Sequence, residues 1–414
     1  MRLRVRLNRT TIPPTVTEPP TPGIELMDRR TALKAMAAST FAAPAVLRGR
    51  YSLHAQSRDE YSARAIRLVS ESSVIDMLCQ FRFPDLRGER PPLATRWLRD
   101  PTSFTEEHFR KYKESGVNVI ALGRGANSYE GALRFCAEWN GFIASHSDWF
   151  VRIDDPRDLA AAMSSEKVGV MITTQNAEHF RGVNDVETMH GLGQRLAQLT
   201  YNFQNRLGAG FLEHNDGGLS VFGHQIMERM QDVGMVVDVA HCGDRTTLDA
   251  LDAATKSVVF SHASCRALIP GHLRCKTDEM IRTLAEGGGV MGIPFIRFMI
   301  KGGPPVSVDD VVDHFEHVAR TVGVEHVGIG SDLDIDGFGS PRQPPGGPGP
   351  EGQPNFERYQ PFFTDEGYVH IEGLNHPKRV FDLTEGFIRR GFNDDEIRLM
   401  LGGNFARVLS ELWS

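Results

Sequence analysis

At 414 residues, with 40% hydrophobic and 24% charged positions, the chain has room for one large folded domain or two ordinary ones. A net charge of −7 argues against nucleic acid as a partner, since that usually demands a basic face. No apolar run reaches membrane-spanning length, and Cys79, Cys136, Cys242, Cys265 and Cys275 lack the CxxC spacing of a zinc ribbon or a disulfide framework.

In chain order, residues 1–26 are Arg- and Pro-rich without periodicity, and read as disordered or as an over-long start. Residues 27–55 open with "MDRRTALKAMAASTFAAPAVLRG", in which Arg29 and Arg30 precede an Ala-rich run ending in small residues. That is the pattern of a twin-arginine signal. It predicts passage through the twin-arginine export machinery in the folded state, and a periplasmic or extracellular location. The plainer reading is an amphipathic helix with a basic start.

Residues 65–414 read as a single domain of alternating short apolar runs and amphipathic helices. The expected strands are "SSVIDML", "VNVIALG", "VGVMITT", "LAQLTYN", "GMVVDVA", "SVVFSHA", "GGVMGIP" and "HVGIGSD". They are Val/Ile-rich and continuous, as in a parallel sheet buried on both faces. Helix-period stretches such as "FGHQIMERMQDVG" and "VDDVVDHFEHVARTVG" lie between them. Eight such units fit an α/β fold of the (β/α)8 TIM-barrel type. A doubly wound sheet is less favoured, because no glycine-rich phosphate loop follows an early strand.

A barrel makes the strand ends one set of candidates, because its active sites lie at the C-terminal ends of the strands. Those ends are Asp76, Gln175, Tyr201, Asp238, His241, His262 and Asp332. His is the commonest protein ligand of zinc, and a pair of strand-end His with a carboxylate can hold an ion and take a proton from its water. The Gly/Pro-rich insertion 337–355 follows the Asp332 strand, as a floppy segment or a lid. His314 and His317, three apart on one helix, read as an exposed pair outside the barrel. Cys242 and Cys265 read as inert buried thiols, and "NRLGAG" as a turn-rich approach to the mouth.

The words "GLSVFGHQIMERMQDVGMVVDVAHCGDRT", "SVVFSHASCRAL", "LRCKTDEMI", "GGGVMGI", "VVDHFEHVARTVGVEHVGIGSDLDIDG" and "GGNFARVL" occur in that order over roughly residues 165–410. Together they resemble the membrane (renal) dipeptidase family, zinc peptidases with a (β/α)8 barrel in the amidohydrolase superfamily. The resemblance implies that His241 and His262 bind zinc, that Asp332 is the general base and acid, and that Arg274 grips the substrate's terminal carboxylate. A planar, permanently charged fork suits that last task.

The chain departs from the family at three places. Leu78 and Gln80 stand where the first strand's His-x-Asp pair would be. Gln175 replaces the bridging glutamate, and Tyr201 replaces a substrate-facing His. Two dications held close together need anionic ligands between them, and these residues supply none. One zinc at most is therefore expected, with Asp76 or Gln175 as supplementary ligands. Asp76 has an alternative role in bonding backbone N–H groups at the strand end. The expected activity is hydrolysis of a dipeptide or related small amide, by a monomer or a homodimer. A non-catalytic barrel that binds a peptide-like ligand, and another reaction such as lactam opening, deformylation or epimerisation, stay open.

Overall fold

The computed structural model describes residues 61–81, 93–123, 126–303, 305–335, 337 and 371–413. The export-signal region lies outside them, as does all but Gly337 of the Gly/Pro-rich insertion. Among the described residues no helix is long and apolar enough to cross a membrane.

Among the described residues nine parallel strands form one sheet: β1 Ile75–Cys79, β2 Val119–Leu122, β3 Phe150–Arg152, β4 Val168–Thr174, β5 Gln194–Gln198, β6 Val236–Asp238, β7 Val259–Phe260, β8 Val290–Ile293 and β9 Val327–Ile329. Their order is β2-β1-β9-β8-β7-β6-β5-β4-β3, and β2 also pairs with β4, which closes an eight-stranded barrel without β3. Each of the eight barrel strands coincides with or overlaps an expected apolar run. β3 was not anticipated, being three residues long with only Phe150 buried. It pairs with Val168–Val170 of β4, ahead of the stretch from Ile172 that pairs with β5.

The helices between strands begin and end for local reasons. Val221–Asp232 is capped by Ser220, whose side chain accepts from the Gly223 N–H. Val308–Val322 starts at a Ser307/Asp310 capping box and stops at Gly323, whose φ of 105° suits glycine. That helix corrects one expectation. His314 is buried, not exposed: its Nδ1 accepts from the Cys265 N–H at 3.0 Å, and its Nε2 lies 2.9 Å from the Ile300 carbonyl. His317 is partly exposed and pairs with Asp278 at 2.8 Å.

The barrel interior is apolar at its lower end. Ile75, Met77, Val119, Ala121, Met171, Leu196, Val236, Val259 and Val290 point into it, and the C-terminal helix Asn404–Leu412 closes it with Phe405, Val408, Leu409 and Leu412. The plug leaves the opposite end, where Asp238 closes β6 and Gln175, His241, His262 and Asp332 follow their strands, as the open mouth.

Candidate active site

Two strands carry the same device. At the end of β6, Asp238 Oδ1 accepts from the N–H groups of Ala240 (2.9 Å) and Ser261 (3.0 Å), and Oδ2 accepts from the Ser261 hydroxyl (2.5 Å). Within β1, opposite the end of β9, Asp76 Oδ1 accepts from the N–H groups of Leu78 (3.3 Å) and Ser331 (2.8 Å), and Oδ2 accepts from the Ser331 hydroxyl (2.5 Å). Each aspartate thus ties its own strand to a serine just beyond the end of a neighbouring strand. The residue after each serine is then presented at the mouth, His262 in one case and Asp332 in the other.

Burial opposes the charge on both aspartates and pushes their carboxyls above the ordinary range, against the hydrogen bonds that favour ionisation. For Asp76 this burial outweighs Arg379, whose guanidinium lies 3.7 Å away. Asp76 is therefore spent on the strand junction, the role of bonding backbone N–H groups.

His241 and His262 converge, with their Nε2 atoms 3.0 Å apart. The network around them sets their tautomers. Ser261 gives its proton to Asp238, so its oxygen accepts from Nδ1–H of His262 at 2.8 Å. Asn202 Oδ1 faces His241 Nδ1 at 2.7 Å and accepts from it. Both Nε2 atoms therefore present lone pairs, toward each other. Burial first, and then Arg274 nearby, push both imidazoles well below their ordinary pKa, so they are neutral at physiological pH.

Two facing lone pairs at this distance repel unless a proton or a cation joins them. Zinc ligands lie about 2.0–2.1 Å from the ion, so the spacing fits two donors of one cation. Among the described residues no group of three His, Cys, Asp or Glu gathers to complete a metal cage. His241 and His262 themselves supply two donor atoms. For a second ion, Leu78 offers nothing and Gln80 and Gln175 offer only neutral amides.

Asn202 was not singled out from the sequence, although it is central to the pair. It and Asp332 are the non-glycine residues with positive φ, 59° and 55°, among the described residues. Both stand at this mouth, where such conformations tend to concentrate. The turn at Asn202 closes tightly, with the Phe203 N–H donating to the Tyr201 carbonyl at 2.6 Å. Gly210 packs so close to it that a Cβ there would sit 2.3 Å from the Asn202 backbone. In the "NRLGAG" turn, Asn205 Oδ1 accepts from the N–H groups of Leu207 and Gly208.

Asp332 is half-buried, and its Oδ1 accepts from Gln80 Nε2 at 2.6 Å. Tyr201 is 43% exposed and stacks on the His241 ring, centroids 4.3 Å apart. Gln175 is buried, its Nε2 without a hydrogen-bond partner among the described residues. Arg274 is only 2% exposed, and its Nη1 and Nη2 donate to the carbonyls of Ala240 (2.6 Å) and His262 (2.8 Å). It braces the two strand ends that carry the histidines. Nearby, Lys276 donates to the Val239 and Cys242 carbonyls, and burial lowers its pKa to about 8. Cys242 and Cys265 are buried free thiols whose pKa values burial pushes up.

A family model described as membrane dipeptidase (peptidase family M19) matches residues 126–344. The chain is 37% identical over 230 residues to dipeptidase verJ of Clonostachys rogersoniana, covering 55% of this chain and 50% of that protein. It is 30% identical over 196 residues to dipeptidase tcpJ of Claviceps purpurea, covering 47% and 39% respectively. The chain thus spans about half the length, or less, of these curated relatives. Among solved structures, an amidohydrolase from Pseudomonas aeruginosa superposes with a TM-score of 0.68 at 25% identity, covering 84% of this chain and 99% of that one. A metallo peptidase from Rhodobacter sphaeroides, solved with a phosphinate mimic of the dipeptide L-Ala-D-Ala, shares the fold at 15% identity with a TM-score of 0.64, covering 83% and 99%.

Proposed function

Because the chain belongs to the membrane dipeptidase family, we propose that it is an exported, zinc-dependent hydrolase of a dipeptide or related small amide, with one ion held by His241 and His262. The observation that carries this reading is the convergence of two neutral imidazoles whose bare Nε2 atoms face each other at 3.0 Å. Bound there, zinc supplies a Lewis acid for an amide carbonyl and brings water to a pKa of about 7.

The chain's own side chains do the rest. Ser261 and Asn202 lock the imidazole tautomers, as outer partners of metal-binding histidines commonly do. Asp332, steadied by Gln80, takes a proton from the attacking water and returns it to the leaving nitrogen. The exposed ring of Tyr201 walls the mouth beside His241. Arg274 holds the histidine-bearing strand ends in register, and we assign it to that bracing before any contact with a substrate carboxylate. The twin-arginine segment would carry the folded protein out of the cytoplasm.

The test is elemental analysis of purified protein beside the His241→Ala/His262→Ala double variant. The proposal expects one zinc per parent chain and none in the variant. Two tightly held ions, or zinc retained by the variant, would overturn it.

A further inference from the structure

The helix Asp244–Ala253 starts just past His241, and its cap position is Gly243, which has no side chain to offer the first N–H groups. Asp216, from the loop between β5 and the helix Val221–Asp232, fills that place. Its Oδ2 accepts from the Arg245 N–H at 2.7 Å, and both its oxygens lie 3.2 Å from the Thr246 N–H. A Cβ at residue 243 would collide with this carboxylate, so glycine is what admits it.

A capping side chain ordinarily belongs to the residue that begins the helix. This one belongs to the loop that reaches His241. Asp216 also takes the proton of the Thr246 hydroxyl at 2.7 Å, which leaves that buried oxygen to accept from the Ala209 N–H at 3.1 Å. The Ala209 carbonyl in turn accepts from the Gly243 N–H at 3.0 Å, and the Phe211 N–H donates to the His241 carbonyl at 3.1 Å. The Leu212 N–H then donates to the Asn202 carbonyl at 2.8 Å, and Asn202 Oδ1 meets His241 Nδ1 at 2.7 Å. One carboxylate thus pins the helix behind His241 to the loop that sets its tautomer.

We propose that Asp216 is a positioning residue for the metal site, acting through Asn202. It seats the loop so that the Asn202 amide oxygen accepts from His241 Nδ1–H and leaves Nε2 bare. The proposal rests on the zinc reading of the His241/His262 pair. Asn202 has a φ of 59°, a conformation that persists only where its surroundings over-determine it, so the loop's anchor is felt at the imidazole. A cap without this role would contribute to stability and leave the metal alone.

The experiment is a double-mutant cycle on zinc affinity, read by competition with a chromogenic chelator, using Asp216→Ala, Asn202→Gly and the two combined. Glycine keeps the left-handed turn at 202 and removes only the amide. Ser307→Ala, which strips the capping box of another helix, controls for general loosening, and thermal melts confirm folding. Asn202→Gly should weaken zinc about 10–100-fold, as loss of an outer partner does, and Asp216→Ala, one step removed, about three- to tenfold. The combined variant should match Asn202→Gly within about twofold, because the path from Asp216 is already cut. Nitrogen-15 NMR of the zinc-free His262→Ala chain, where His241 faces no second imidazole, reads the tautomer itself: Nδ1-protonated with Asp216 present, mixed with Asp216→Ala added.

In a parent that binds zinc, unchanged affinity in Asp216→Ala, losses that multiply in the combined variant, or an equal loss in Ser307→Ala overturns the proposal. An unmoved His241 tautomer overturns it in any case. If the parent binds no zinc and the tautomer still moves, Asp216 keeps its positioning role and the zinc reading falls.

Discussion

Ser261→Ala removes one oxygen that serves two buried partners at once. Asp238 loses its 2.5 Å bond from the hydroxyl, and the Nδ1–H of His262, 2.8 Å from that oxygen, loses its acceptor. All three residues are fully buried, so water cannot substitute. A hydrogen bond to a charged group contributes roughly 1.5–3 kcal/mol, and an orphaned buried donor costs roughly 1–3 kcal/mol. With the two effects overlapping at one atom, the variant should be less stable by roughly 3–5 kcal/mol in urea unfolding. It should also release His262 from its tautomer, and loss of such an outer partner typically weakens metal affinity about 10–100-fold. Competition with a chromogenic chelator measures that directly.

Ser331→Ala is the control, because it breaks the matching clamp on Asp76 but frees no imidazole. It should lose roughly 2–4 kcal/mol of stability and hold zinc within about twofold of the parent. If Ser261→Ala binds zinc as tightly as the parent, or if Ser331→Ala weakens zinc equally, the tautomer reasoning is wrong.

Other outcomes follow from the same structure. Burial holds His314 at a pKa of about 4, against roughly 6.5 in an unfolded chain. Between those values the unfolded state binds a proton that the folded state refuses, so stability present above about pH 6.5 is lost on acidification, by roughly 3 kcal/mol near pH 4. Urea titrations from pH 7.5 to 4.5 should show that slope, and His314→Gln should flatten part of it; an unchanged slope would show that His314 does not carry it. Arg274→Ala should destabilise by roughly 3–5 kcal/mol through its two lost carbonyl contacts, and should depress turnover of free-acid and amidated dipeptides alike. A loss confined to free acids would place the guanidinium on the substrate carboxylate instead. Replacing Arg29 and Arg30 by Lys should leave the protein in the cytoplasm on cell fractionation, and normal export would end the twin-arginine reading.

The barrel was legible because its strands are short, buried runs, each followed by an amphipathic helix, and that pattern survives without knowledge of partners. β3 was not, since three residues with a single buried side chain leave no period to detect. His314 was misread although its position carried a signal: it falls three residues after Val311 and beside Phe315, on the stripe that faces the core. At the site, the two histidines were visible as strand ends, and Asp238 belonged to the same set. What the sequence withheld were contacts between distant segments. Gln80 meets Asp332 across 252 positions, and Asn202 reaches His241 only from a left-handed turn. Likewise "GGNFARVL" marks kinship, but its work as the barrel's lower plug appears only when Phe405 is seen against β1 and its neighbours.

The most direct test of the central claim is hydrolysis of free and N-acetylated dipeptides by purified protein, stripped with a chelator and then titrated with zinc. The account predicts no turnover after stripping and full recovery at one equivalent of zinc per chain, with the His241→Ala/His262→Ala variant inactive throughout. Turnover that survives stripping, recovery that needs a second equivalent, or no turnover at any zinc level would contradict it.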